Sequence, residues 1–104
     1  MNAEAFARMK NTALVINTAR GPLIKETDLI AALDAGEIGG AALDVVESEP
    51  LASDSALLGR DNLILSPHTA FYSVEALDEL QSKAASDAGR VLSGQEPVYP
   101  ITAG

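Results

Sequence analysis

An α/β fold built on parallel strands is what this sequence predicts, and three observations predict it. Short apolar runs occupy 13–16, 39–43 and 63–65, and they close on polar residues at Asn17, Asp44 and Ser66. Helical periodicity fills the segments before the first run, between the first two, and after the third. The first run, Ala13-Leu14-Val15-Ile16, has no polar position, the pattern of a strand covered on both faces of a parallel sheet. Strands interleaved with helices in this way stack as parallel α/β layers.

Asn2 is the expected cap of a first helix, with Glu4 at the positive end of its dipole and Lys10 at the other. Phe6 and Met9 give that helix one apolar edge, Asn11-Thr12 breaks it, and a strand over 13–17 follows. In the turn Asn17-Thr18-Ala19-Arg20-Gly21-Pro22, Gly and Pro oppose further strand pairing. A second helix is expected from about Glu26 to Ala35, with Leu29, Ile30 and Leu33 on one face and Gly36 as the left-handed residue past its end. Gly39 to Leu43 reads as a second buried strand of small residues. Residues 47–61 carry acids and turn formers and read as a long loop with one short helical turn. Asn62 to Leu65 is the third strand, ended by Ser66-Pro67-His68. Ser73 caps a last helix whose Leu77, Leu80, Ala84, Ala88 and Val91 form an apolar stripe at spacings of three and four. Gly94 ends it, and an extended, proline-bearing tail to Gly104 is expected.

The 104 residues suffice for one small domain with a single core. Apolar residues make up 47% and charged residues 21%, a balance that argues against disorder. The absence of cysteine excludes disulfides and thiolate metal ligands and fits a reducing compartment, so a cytoplasmic location is expected. A formal net charge of −8 argues against nucleic acid or an anionic membrane surface as partner. One histidine without cysteines offers no metal site.

Chemistry-bearing groups recur in one place. Arg20, Asp44 with Glu49, and His68 each follow a predicted strand, so parallel strands carry all four to one edge of the sheet, where open α/β sheets bind ligands. Arginine holds a carboxylate by two parallel hydrogen bonds. Histidine exchanges a proton near neutral pH, and a carboxylate behind it fixes its tautomer and favours its charged form. Taken singly, Arg20 reads as a solvated surface charge, His68 as a loop histidine bonded to carbonyls, Glu47 and Glu49 as solvated acids, and Asp44 as a turn cap. Their shared topology is what selects them. No G-x-S-x-G occurs to make Ser66 or Ser73 a nucleophile.

The segments INTARGPLI, AALDVVESEP and ILSPHTA, in this order, resemble the C-terminal part of the cofactor domain of the D-isomer-specific 2-hydroxyacid dehydrogenases. The likeness covers residues 2 to about 94. ESEP together with HTAFYS resembles the subgroup of C-terminal-binding-protein corepressors and glycerate or hydroxypyruvate reductases. This resemblance implies the C-terminal half of a Rossmann-like, doubly wound parallel sheet with flanking helices, over 1–94, followed by a tail over 95–104. It implies an NAD(P)-dependent oxidoreductase that interconverts a D-2-hydroxy acid and a 2-keto acid by hydride transfer. Arg20 would bind the substrate carboxylate, His68 would be the acid/base, and Glu49 would pair with His68 and keep it protonated. Asp44 would meet the nicotinamide carboxamide, and Thr18, Ala19, Arg20 and the segment His68, Thr69, Ala70, Phe71 would line the cofactor near its reactive ring. NAD is the implied cofactor, with NADP open.

The pattern also departs from the family's. No G-x-G-x-x-G occurs, and Gly36 with Gly39-Gly40 has the wrong spacing for a pyrophosphate turn. Lys25 stands where the family more often has an acid or amide, and Phe71 where the corepressor subgroup has tryptophan. The chain therefore resembles the last third of an enzyme, a fragment expected to be inactive alone. A non-catalytic half-Rossmann interaction module is the alternative of a different class. The open edge of the first strand predicts a homodimer.

Overall fold

The structure, a computed structural model, describes residues 1–101 and divides into two compact units, Met1–Ala70 and the residues from Phe71 onward. In the first unit, strands β1 (Leu14–Asn17), β2 (Gly40–Leu43) and β3 (Leu63–Leu65) form one parallel sheet in the order β1-β2-β3. The register aligns Val15 with Ala41 and Leu63, and Ile16 with Ala42 and Ile64. The expected parallel α/β architecture is therefore present.

Helix α1 (Ala3–Ala7) starts where Asn2 accepts a hydrogen bond from the Ala5 amide at 3.2 Å. It ends at Arg8, one turn short of expectation, so Met9 and Lys10 lie outside it and only Phe6 is buried. Helix α2 (Glu26–Asp34) buries Leu29, Ala32 and Leu33, and Gly36 follows with φ +66°, the left-handed conformation glycine adopts without a Cβ penalty. The Asn62 side-chain amide donates to the Leu33 carbonyl at 3.2 Å and so satisfies one of the acceptors left at that helix end. Asn62 itself precedes β3, whose strand begins at Leu63. A short 3-10 turn, Gly21–Leu23, was not expected from the sequence; Pro22 in its first turn lacks an N–H that would otherwise be orphaned there. Residues 47–61 contain no regular element.

One core serves this unit. Phe6, Leu29 and Leu33 from the helices pack with Val15, Ala41, Leu43 and Leu63 from one face of the sheet, and Ile38 and Leu57 join the same cluster. The opposite face corrects the expectation for β1. Leu14 and Ile16 are 71% and 70% exposed, and Ile64 on β3 is 71% exposed. The apolar run encodes a strand buried on both sides, but both α-helices of this unit join the core on the Val15 side.

The second unit is led by helix α3 (Val74–Leu92), capped by Ser73 Oγ, which accepts from the Ala76 amide at 3.0 Å. Gly94 follows at φ +71°. The expected stripe is present in the sequence of α3, yet none of its residues is buried. Residues 95–99 run back along the helix. The Asp87 carboxylate accepts the Val98 and Tyr99 amides, each at 2.9 Å, and Arg90 Nε donates to the Glu96 carbonyl at 2.8 Å. The remainder of the expected tail, 102–104, lies outside the described residues.

Candidate active site

Each candidate residue of the first unit follows the carboxyl end of a strand, and local hydrogen bonding explains how it is held there. Asn17, the last residue of β1, is buried and organises the turn after it. Its side-chain amide donates to the Arg20 carbonyl at 2.8 Å and its oxygen accepts the Ala19 amide at 3.1 Å. This is the side-chain-to-backbone closure that makes Asn a turn former. Arg20 is thereby presented at the sheet edge. Its guanidinium donates to the Ala19 carbonyl at 2.6 Å and is exposed.

The next position is Gly21. A Cβ there would lie 1.9 Å from the Val46 carbonyl oxygen and 2.6 Å from the Glu47 nitrogen. The loops after β1 and β2 touch backbone to backbone at this point, which only glycine permits.

Asp44 directly follows β2 and is 4% exposed. Its carboxylate accepts the Ser66 hydroxyl at 2.5 Å and the Thr69 and Ala70 amides at 2.9 Å each. Its own carbonyl takes the His68 amide at 2.8 Å. These bonds fasten both ends of the loop that carries His68. His68 sits at φ +55°, in the left-handed region where a non-glycine residue costs on the order of 1–3 kcal/mol. The bonds to Asp44 on either side hold the backbone there.

In that conformation His68 Nδ1 lies 2.7 Å from Glu49 Oε2. The other Glu49 oxygen accepts the Val46 amide at 3.2 Å. Beside the pair opens a cavity of about 440 Å³, whose wall is largely apolar and includes Val46, Pro50, Leu51, Leu58 and Leu65. With Nδ1 committed to a carboxylate, Nε2 is the ring nitrogen through which His68 can give or take a proton.

The structure thus brings Glu49 to His68 and Asp44 to the His68 loop. It leaves the Arg20 guanidinium on its own turn, at the same sheet edge. Thr18 and Ala19 lie in the Asn17 turn, and Thr69 and Ala70 are the residues whose amides Asp44 holds. Phe71 belongs to the second unit, where its ring stacks on Tyr72 with centroids 4.3 Å apart. Sequence reasoning missed three contributors: Asn17 as the anchor of the Arg20 turn, Ser66 as a donor to Asp44, and Glu47. Asn two residues before Ala19 at a strand end was the available signal for the first. For Glu47, whose partner Glu26 is 21 residues away, sequence held no signal.

Both acids of the site are held below their ordinary values of 3.8 and 4.5, Asp44 chiefly by the Ser66 hydroxyl and Glu49 chiefly by His68. A depressed carboxyl contributes stability that is complete above its ordinary value and is lost as pH falls through the lower value of the folded state. Asp28, Asp34 and Asp87 act in the same direction. The melting temperature should therefore be level near neutrality and decline below the ordinary values, 3.8 to 4.5. Asp44→Asn should make that decline shallower. Thermal melts followed by circular dichroism between pH 7 and pH 2.5 check this, and an unchanged slope in Asp44→Asn would remove Asp44 from the account.

Comparison with known proteins places these features in context. The family model described as D-isomer specific 2-hydroxyacid dehydrogenase, NAD binding domain, matches residues 1–70. The glyoxylate reductase of Thermofilum pendens is 44% identical over 97 residues, which cover 93% of this chain and 29% of that protein. The hydroxypyruvate reductase of Blautia hydrogenotrophica is 39% identical over 94 residues, 90% of this chain and 29% of that protein. Among solved structures, an NADPH-dependent glyoxylate/hydroxypyruvate reductase of Sinorhizobium meliloti, in complex with NADP and malonate, superposes with a TM-score of 0.88 at 33% identity. That match covers 97% of this chain and 31% of the reductase. D-lactate dehydrogenase of Lactobacillus jensenii with NAD+ gives a TM-score of 0.81 at 27% identity, over 99% of this chain and 35% of that one. The chain spans less than a third of the length of the two curated relatives named.

Proposed function

The chain belongs to the D-isomer specific 2-hydroxyacid dehydrogenases, and on that premise we propose that it carries the catalytic side chains of an NAD(P)-dependent reductase of small 2-keto acids, glyoxylate or hydroxypyruvate among them. The observation that carries this reading is the His68–Glu49 contact of 2.7 Å at the carboxyl edge of a parallel sheet. In the proposed reaction the nicotinamide supplies the hydride. Arg20 clamps the substrate carboxylate by two hydrogen bonds. His68 delivers a proton from Nε2 to the carbonyl oxygen, and in the reverse direction receives it there. Glu49 holds the Nδ1 proton and the positive charge of the ring.

The residues fit the nicotinamide end of such a cofactor. A carboxylate has about four lone-pair sites. Asp44 Oδ1 accepts from Ser66 and Thr69, while Oδ2 accepts from Ala70. That leaves one acceptor position on Oδ2 for the carboxamide N–H₂. Thr18, Ala19, Arg20, His68, Thr69 and Ala70 would line the ring. The pyrophosphate turn is not among these residues, since the sequence has no G-x-G-x-x-G. In this reading residues 1–94 are a partial NAD(P)-binding domain and 95–104 its tail, and the location is cytoplasmic. Among the described residues no helix is long and apolar enough to cross a membrane.

The test is a chimera in which this chain replaces the matching segment of the Thermofilum pendens glyoxylate reductase. The folded chimera should oxidise NADH or NADPH with glyoxylate, and the chain alone should not. A folded chimera without activity would overturn the assignment.

A two-fold homodimer is the proposed assembly of the chain alone. Two features support it: β1 pairs with β2 on one side only, and Leu14, Ile16 and Ile64 form an exposed apolar face. Open apolar edges and faces pair with a second copy unless charge or proline blocks them. Light scattering at micromolar concentration should return the dimer mass. A clean monomer with a cooperative melt would refute the dimer.

A further inference from the structure

Helix α2 begins without a side-chain cap of its own. Lys25 occupies the cap position and makes no such bond. The acceptor comes from elsewhere in the chain: Glu47 Oε1 takes the Glu26 amide at 2.9 Å. In return, Glu26 Oε1 takes the Glu47 amide. The exchange has the reciprocity of a capping box, but it joins two segments 21 residues apart. What it ties to the helix is the loop that ends in Glu49. The Val46 amide in that loop donates to Glu49 Oε1, the Val46 carbonyl packs against Gly21, and Glu49 Oε2 reaches His68.

Two consecutive amides, those of Val46 and Glu47, are therefore each held by a carboxylate, one from Glu49 and one from Glu26. The two hydrogen bonds of the exchange tie Glu47 to the first residue of α2, while Val46 packs against the core. We infer that Glu26 and Glu47 are positioning residues: by exchanging backbone hydrogen bonds they brace the 46–49 loop so that Glu49 meets His68. The inference rests on the catalytic reading of His68 and Glu49 for its importance, but its geometry stands on this chain alone.

The test reads Glu49 directly by carbon-13 NMR of its carboxyl group through a pH titration of the 104-residue chain. The groups that face Glu49 are His68 and the Val46 amide, which depress its titration, and Asp44, which raises it. Removing Glu26 has two opposing consequences. Loss of a neighbouring negative charge lowers the Glu49 titration point, whereas loss of the brace raises it by releasing the His68 and Val46 bonds. Glu26→Ala should move the Glu49 titration up, towards its ordinary value of 4.5. Glu26→Gln keeps an oxygen acceptor for the Glu47 amide without the charge, so Glu49 should stay where it is or fall. His68 is the chain's one histidine, so the nitrogen-15 signal of Nδ1 is unambiguous and should lose its bonded character in Glu26→Ala only.

If Glu26→Ala does not fold, Glu47→Ala removes the other bond of the exchange and is read in the same way. A melting temperature that falls while Glu49 and Nδ1 stay unmoved would overturn the proposal, because the pair would then serve stability alone. Loss of folding in both variants would overturn it too, by making the pair part of the framework. No substrate or cofactor enters these measurements, so the result is independent of whether the chimera turns over.

Discussion

Gly21→Ala should destabilise the chain more than alanine at any other described glycine. The new Cβ would stand 1.9 Å from the Val46 carbonyl oxygen and 2.1 Å from its carbon. Both are backbone atoms, so no rotamer change relieves the overlap, and the loops after β1 and β2 must separate. Overpacking a close contact typically costs about 1–3 kcal/mol. A backbone-to-backbone overlap of this depth belongs at or beyond the upper end. For a domain near this size each kcal/mol lowers the melting temperature by roughly 4–8 °C, so a loss on the order of 10 °C or more is expected. Gly36→Ala is the comparison. Its Cβ meets nothing within 4 Å, and its strain comes from φ +66° alone. Calorimetry of the two variants decides. A Gly21→Ala melt within a few degrees of the parent would show that the loops do not depend on that contact.

In the chimera with the Thermofilum pendens segment replaced, His68→Ala should lower turnover by about 100- to 10,000-fold, the usual range for a lost general acid. Arg20→Ala should behave differently. A clamp made to the carboxylate in both ground and transition states weakens substrate binding as well as turnover, so KM should rise while kcat falls. Glu49→Gln should leave the fold intact and lower turnover less than His68→Ala does, since the carboxylate that holds Nδ1 is gone while the imidazole remains. Steady-state kinetics separate the three. Near-normal turnover in His68→Ala would end the assignment of the proton donor, and unchanged turnover in Glu49→Gln would end that of its partner.

Strands, helices and their parallel stacking were legible because each rests on local pattern. Val15 and Leu43 sit in apolar runs, Leu29 and Leu33 share a helical face, and Gly36 stands one residue past a helix end. The three side chains proposed as catalytic were legible for a topological reason: each follows a strand, and parallel strands carry their ends to one edge. What was not legible depends on contacts across the chain. The necessity of Gly21 comes from Val46, 25 positions later. The work of Glu47 comes from Glu26, and the shape of the His68 loop from Asp44. The sequence marks the types of these residues but not whom they meet. The exposed side of β1 has a further cause. Its apolar run encodes burial on two faces, and the helices of this unit cover one.

The left-handed backbone at His68 means that a mutational scan of this position would report two things at once. A β-branched replacement such as His68→Val would lose activity and also resist the backbone angle, so its fall in yield would be mistaken for a role in folding. Asparagine is among the few side chains that accept φ near +55°. His68→Asn is therefore the variant that silences the proton donor while leaving the loop in place. A tolerance map of homologous loops should show the same bias: at this position, Asn, Asp and Gly would be the replacements that still fold.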